Sequence, residues 1–189
     1  MSNRHPLIGL AGAARSGKDT AALPLIESGW TRRAFADKVR DMLYAVNPTL
    51  VDQSYFSGLT DLAFEVDTYG WSEVKGRYEE VRQMLQRLGT EGGRAILGED
   101  VWVDALFRDY EIWDRPTVIT DVRFPNEAQA IKRRGGLVVQ VVRPGVNPIQ
   151  DSAHISERAL DGWTFDAQLV NDGTEAQLGR QVTNLVAAM

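Results

Sequence analysis

The chain has 189 residues, a formal net charge of −5 and no cysteine. Its length suits one domain with a full core, and its 43% hydrophobic and 25% charged residues exclude a disordered or membrane-embedded composition. The missing cysteine removes disulfides, thiolate metal sites and cysteine nucleophiles, and the negative balance argues against a broad nucleic-acid-binding face while leaving room for a local basic cleft. His5 and His154 lie too far apart in sequence to support a histidine metal site. No apolar run approaches membrane-spanning length, and Met1-Ser2-Asn3-Arg4-His5 leads into the first strand without a signal-peptide pattern. The expectation is a cytoplasmic protein that takes small-molecule substrates, with no nucleic acid or membrane partner and with a homodimer left open.

Leu7-Ile8-Gly9-Leu10-Ala11 reads as a buried strand, and it runs into Gly12-Ala13-Ala14-Arg15-Ser16-Gly17-Lys18-Asp19-Thr20. The spacing is G-x-x-x-x-G-K between a strand and a helix, the pattern that holds a nucleotide phosphate chain. Glycines let the backbone curl so that N–H groups converge, the helix N-terminus adds partial positive charge, and Lys18 adds a full one. Gly12, Arg15, Ser16, Gly17, Lys18, Asp19 and Thr20 are therefore expected to bind the donor nucleotide. The pattern wants Ser or Thr after the lysine to ligate Mg²⁺, but Asp19 stands there. Thr20 is one residue, about 100° of helix, out of place, so Asp19 is the expected metal ligand.

The first helix is expected from Thr20 to Ser28, with Pro24 inside it and Gly29 as its stop. Arg32–Ala36 reads as a second strand, and Asp37 as the cap of a helix to Val46, halted by Asn47-Pro48. Residues 49–72 show no period and read as an insertion. Glu73–Leu88 reads as one helix with Val74, Tyr78, Val81, Leu85 and Leu88 on its apolar face, ended by Gly89; Thr90 is expected to cap another helix carrying Arg94. Asp100 caps a helix with Val101, Trp102, Ala105 and Leu106. Thr117–Asp121 is a strand, Asn126–Arg134 a helix, Leu137–Val142 a strand, 143–160 a polar loop, and Ala167–Val170 a last strand before a helix from Thr174. Strands alternating with helices imply a parallel sheet covered on both faces.

Ligands sit beyond the carboxyl ends of such strands. Asp121 closes one, and Arg123, Asn126 and Glu127 follow. Asp121 suits Mg²⁺ and its waters, Arg123 a phosphate, and Glu127 the substrate side. Asp37-Lys38 ends strand two, where Asp37 equally suits a plain helix cap. Arg82, Gln86 and Arg94 suit a solvated face singly, and an acceptor pocket as a group. Trp102, Tyr78 and Phe35 suit the core more than base stacking, and Trp102 is kept as a substrate contact. Arg143, His154 and Arg158 lie in a stretch that suits a lid delivering an arginine and equally a plain surface loop, with Arg158 the catalytic candidate beside Lys18, Asp121 and Arg123. Asn171, in the Asn171-Asp172-Gly173 turn after the last strand, suits a loop that edges the adenine and equally a plain turn.

These pieces together resemble the deoxynucleoside monophosphate kinases of tailed bacteriophages. The match takes in the phosphate loop with its Ser-Gly-Lys-Asp-Thr ending, Phe35-Ala36-Asp37-Lys38, Leu85–Glu91 with Gly93-Arg94, and Asp100–Val103. It continues through Val118–Glu127, His154-Ile155-Ser156-Glu157 and Asn171-Asp172-Gly173, and leaves 49–72 unmatched. The resemblance implies an α/β, three-layer P-loop nucleotide kinase fold with a mainly parallel five-stranded sheet. It also implies transfer of the γ-phosphate of ATP to deoxynucleoside monophosphates, with Mg²⁺, supplying phage DNA synthesis. The expected organisation is a single P-loop kinase domain, 1–189. Its core is about 5–48, 114–142 and 165–189, its acceptor-binding helical region about 49–113, and its lid about 143–160. A phosphate acceptor is already ionised near neutral pH and needs charge neutralisation and alignment more than a base. Three alternatives stay open, one of them a non-catalytic binding module, which would leave the ordered arginines unexplained. A dephospho-coenzyme A or phosphomevalonate kinase shares the fold, and a hydroxyl acceptor would make Asp37 the suspected base. A nucleotide switch or motor calls for an N-K-x-D motif or an acidic pair after a strand, and the sequence has neither.

Overall fold

A computed structural model describes residues 5–52, 54–145 and 158–189. The chain runs β1 (Leu7–Ala11), α1 (Lys18–Glu27), β2 (Thr31–Arg33), α2 (Phe35–Val46), β3 (Thr49–Val51), β4 (Leu59–Asp61), α3 (Leu62–Arg77) and α4 (Glu79–Arg87). A π-helical segment, Leu88–Leu97, follows, then α5 (Val101–Phe107) and a 3₁₀ turn, Tyr110–Ile112. The chain ends with β5 (Thr117–Val122), α6 (Pro125–Arg133), β6 (Leu137–Val142), β7 (Ala167–Val170) and α7 (Glu175–Ala187). Two compact units result: Met1–Phe35 with Leu106–Met189, and Ala36–Ala105.

The first unit holds a parallel sheet in the order β2-β5-β1-β6-β7. A parallel sheet is covered on both faces, so its strands read as continuous apolar runs; all five residues of β1 are buried. On one face Ile8, Leu10, Val118, Val139, Val141 and Leu169 pack with Ala21, Ala22 and Leu25 of α1 and Leu178 and Val182 of α7. On the other, Gly9 makes room for α6: a Cβ there would lie 2.4 Å from Ile131 Cδ1. Helix, sheet and helix are the three expected layers. From β1 the chain goes out to β2, returns through β5, then crosses to β6 and β7. The loop after β1 thus opens at the switch point where such sheets bind ligands. At the far edge, Gln181 of α7 donates Nε2–H to Val170 O (2.8 Å), and its Oε1 accepts from Val170 N–H (2.9 Å).

The second unit gives residues 49–72 a structure that periodicity does not show. β3 and β4 form an antiparallel hairpin, with Leu50 opposite Thr60. α3 follows, interrupted by Gly70 at φ +77°. Leu43, Leu50, Leu62, Val74, Tyr78 and Val81 form the core of this unit, flanked by Leu85 and Leu88. The apolar face expected on one helix is therefore real, but the helix is two. Tyr78 stands between α3 and α4 in extended geometry (φ −116°, ψ 101°). It buries its ring and donates its hydroxyl to Asp52, a double commitment that holds it off the helical path. Gly89 does not stop the chain as expected, since the helix widens and continues to Leu97. Trp102 accounts for this: its Nε1–H donates to Gly89 O (2.7 Å), and a Cβ on Gly93 would lie 2.4 Å from its ring.

Candidate phosphate-binding site

Three left-handed residues shape the loop after β1: Gly12 (φ +143°), Arg15 (+60°) and Gly17 (+102°). Backbone that alternates hand in this way turns successive N–H groups toward one side and makes an anion-binding concavity. Gly12 has no alternative, because a Cβ would meet Val141 O at 2.3 Å. Gly17 is the N-cap of α1 and makes no side-chain cap, so the first-turn N–H groups keep their capacity for an anion. The Ser16 hydroxyl is buried and has no hydrogen-bond partner among the described residues. Lys18 is 9% exposed and donates to Gly12 O (2.8 Å) and Ala13 O (2.7 Å). Those carbonyls hold a buried ammonium at the floor of the loop, within a side-chain swing of any phosphate above it.

A cavity of about 330 Å³ opens over this loop. It brings together Arg15, Gly17, Lys18, Asp19, Thr20 and Asn171, all expected at the donor site. It adds Arg143, weighed in the sequence only as a lid residue, and Gly173 and Glu175. Glu175 opens α7 behind the Thr174 cap and carries no sequence signal beyond that of a first-turn acid. Gly12 and Ser16 shape the loop without lining the cavity. Asp19 is exposed and Thr20 half-buried there. This pair offers hard oxygen donors beside a phosphate-sized space, a set that fits Mg²⁺ shared with phosphate oxygens. Among the described residues no group of three or more His, Asp or Glu side chains forms a metal cage on protein ligands alone.

Elsewhere in the same unit, Asp121 Oδ1 accepts from Phe35 N–H (2.8 Å). Glu127, 4% exposed, accepts from Arg123 N–H (2.7 Å) and Phe124 N–H (3.0 Å), capping α6 from within. It thereby fixes the backbone that carries Arg123. Arg158 is exposed and pairs with Asp161 (3.3 Å). His154, and the His154–Glu157 stretch, lie outside the described residues.

In the second unit, Asp37 pairs with Arg40 (2.6 Å) and Lys38 with Asp41 (2.9 Å), both along α2. Arg82 pairs with Glu79 (3.1 Å) and Gln86 is exposed, both on α4. Arg94 is half-buried in the π-helical segment, and Trp102 is 5% exposed in the core. Asp52, Glu65, Arg77, Tyr55 and Tyr78 form a network that no sequence motif signals. Glu65 is fully buried; it accepts from Tyr55 (2.8 Å) and Thr60 (2.9 Å) and pairs with Arg77 (3.2 Å). Arg77 also pairs with Asp52 (3.2 Å) and lies over the Tyr69 ring. The Tyr78 and Ser54 hydrogen bonds hold the Asp52 carboxyl down at about 2. The Glu65 hydrogen bond, aided by burial and the Glu65 charge, pushes the Tyr55 hydroxyl up to about 12.

A P-loop nucleotide kinase is the class that this sheet order and this loop define. The profile of the deoxynucleotide monophosphate kinase family matches residues 71–182, more than half of the chain. A protein of Acanthamoeba polyphaga mimivirus, provisionally named a deoxynucleotide monophosphate kinase, is 30% identical over 95% of each chain. The deoxynucleoside-5'-monophosphate kinase of Escherichia phage T5 is 27% identical over 87% of this chain and 89% of its own. The deoxynucleotide monophosphate kinase of Enterobacteria phage T4 is 26% identical over 71% of this chain and 53% of its own. The chain belongs to the deoxynucleotide monophosphate kinase family.

Proposed function

We propose that the chain transfers the γ-phosphoryl group of ATP to a deoxynucleoside monophosphate, in a cytoplasm engaged in DNA synthesis. The observation that carries this reading is the cavity over the loop, where Arg15, Lys18 and Arg143 meet an uncapped helix N-terminus. The relatives' names supply the acceptor class. An oxygen of the acceptor phosphate attacks the γ-phosphorus, the bond to the β,γ-bridging oxygen breaks, and ADP leaves with the electron pair. The protein's share is alignment and charge neutralisation. Lys18 exchanges the Gly12 and Ala13 carbonyls for phosphate oxygens, and Asp19 and Asp121 are the residues to hold Mg²⁺. When bound, the ion neutralises phosphate charge. Arg123, on a backbone held by Glu127, and Arg158 are the candidates to reach the transferring group. Arg82, Gln86 and Arg94 are proposed on the acceptor side, with Asp37 and Lys38. Trp102 supports that side from within the core, through Gly89 and Gly93.

A coupled ADP-release assay tests this, with ATP and Mg²⁺ against the four deoxynucleoside monophosphates, AMP, GMP, dephospho-coenzyme A and phosphomevalonate. Turnover on several deoxynucleotides with little on AMP is expected. Turnover confined to a non-nucleotide overturns the acceptor assignment, and silence with ATP bound overturns the transfer.

A further inference from the structure

Asn171 follows the last strand of the sheet, and nothing in its local sequence ties it to the phosphate loop. The fold does. Its Nδ2–H donates to Ser16 O at 2.9 Å, across 155 positions of chain. Its own N–H donates to Val142 O at 2.7 Å, which fastens it to β6. Its amide also sits against Gly17, so close that a Cβ on Gly17 would lie 2.4 Å from Nδ2. We propose that Asn171 is a positioning residue for the phosphate loop: it acts through Ser16 and Gly17, not by reading the base. The inference rests on the reading of this cavity as the donor-phosphate site.

The argument is one of peptide geometry. The Ser16 carbonyl and the Gly17 N–H belong to one planar peptide unit and point in opposite directions. Pinning the carbonyl therefore pins the N–H. Gly17 is the left-handed N-cap of α1, so the same hydrogen bond sets how the loop enters the helix whose N–H groups face the ligand. No side chain caps α1 at this point, and the Ser16 hydroxyl makes no hydrogen bond among the described residues that would hold the turn instead. Among the described contacts of this turn, Asn171 links it to the sheet. Pre-set donors bind phosphate without reordering, and the advantage is lost when the clamp is cut.

A base contact and a loop clamp differ in one measurable respect, since a base contact matters only to a ligand with a base. Calorimetric binding of ATP and of inorganic tripolyphosphate is compared for the wild-type chain, Asn171→Ala and Asn171→Leu. Leucine keeps the bulk against Gly17 but cannot donate, so it reports even if the alanine variant folds poorly. Circular dichroism confirms the fold of each. Both variants are expected to bind both ligands about five- to tenfold more weakly, by the same factor, as the loss of one net hydrogen bond predicts. Weakening for ATP alone overturns the proposal in favour of a base contact, and no weakening for either overturns it outright. A wild-type chain that binds neither ligand removes the phosphate-site reading and this inference together. Binding without turnover leaves the clamp standing and removes only the kinase assignment.

Discussion

The sheet unit and the unit formed by 36–105 fill their interiors with different chemistry. In the first, Ile8, Leu10, Val118 and Val139 are fully buried and apolar, and the strand ladders satisfy the backbone between them. In the second, a carboxylate lies at 0% exposure: Glu65, held by two hydroxyls and the Arg77 guanidinium. Burial of apolar area is non-directional and indifferent to pH. A buried carboxylate is directional and depends on each of its hydrogen-bonded partners. The phosphate loop hangs from the unit with the apolar core, while the hairpin and helices of 36–105 depend more on hydrogen bonds to Asp52 and Tyr55, groups whose ionisation acid or alkali changes.

The largest break in this contrast is functional. Lys18→Ala should lower phosphoryl transfer roughly a hundred- to a thousandfold with the fold intact, as for other losses of a preorganised charge. Wild-type turnover from a folded variant ends the phosphate-loop reading. Next comes Gly12→Ala, which sets a Cβ 2.3 Å from Val141 O at a φ of +143°. Strain of this kind should cost about 2–4 kcal/mol, read by urea unfolding, and it should strip protection from strand amides of β1 and β6.

Glu65→Leu is the matching break in 36–105. It removes the Glu65 acceptor from Tyr55 and Thr60 and leaves Arg77 with Asp52 as its remaining carboxylate partner. Because the Arg77 side chain is 31% exposed and can rehydrate, the expected cost is about 2–3 kcal/mol, below that of a fully buried pair. Hydrogen exchange should quicken in 36–105 while β1, β5 and β6 keep their protection. Equal quickening in both units would refute the division of labour.

The smallest effect is pH, and its sign differs at the two ends of the scale. Asp52 titrates at about 2 in the fold, below the ordinary carboxylate value of about 4. Its stabilisation is present above that ordinary value and is lost as pH falls from about 4 toward 2. Tyr55 titrates at about 12, above the ordinary tyrosine value of about 10. Its contribution is present below 10 and disappears as pH rises from about 10 toward 12. In the sheet unit burial raises Asp166, but the Lys132 hydrogen bond and Val138 N–H outweigh it and hold the carboxyl below its usual range, so an acid limb is shared. Alkali should therefore separate the units more cleanly than acid. Tyrosinate absorbance followed beside hydrogen exchange should show 36–105 loosening first, and simultaneous loss would remove the distinction.

Legibility in the sequence follows the same line. The sheet strands could be read because continuous apolar runs bounded by glycine and proline carry their own signal: Leu7–Ala11, Thr117–Val122 and Leu137–Val142 emerge nearly as expected. Lys18 and its loop could be read because the glycine spacing is local. The break at Tyr78 could not, since the residue keeps its place in the apolar rhythm while its hydroxyl goes to Asp52, far back along the chain. Nor could the widened helix at Gly89, which depends on the Trp102 ring. Glu127 carried a site-like sequence context, and that context did not signal that its Oε2 also accepts from the N–H groups of its own turn. Side-chain hydrogen bonds to distant or neighbouring backbone leave no period behind them.

Gln181 has one more consequence. β7 is an outer strand, and outer strands offer unpaired N–H and C=O groups to any passing extended chain. The primary amide of Gln181 occupies both groups of Val170, imitating the peptide of a sixth strand where the described residues supply five. The sheet therefore ends in a counterfeit neighbour supplied by its own last helix, and growth by strand addition from another molecule is blocked at that position without a proline, a bulge or a charge.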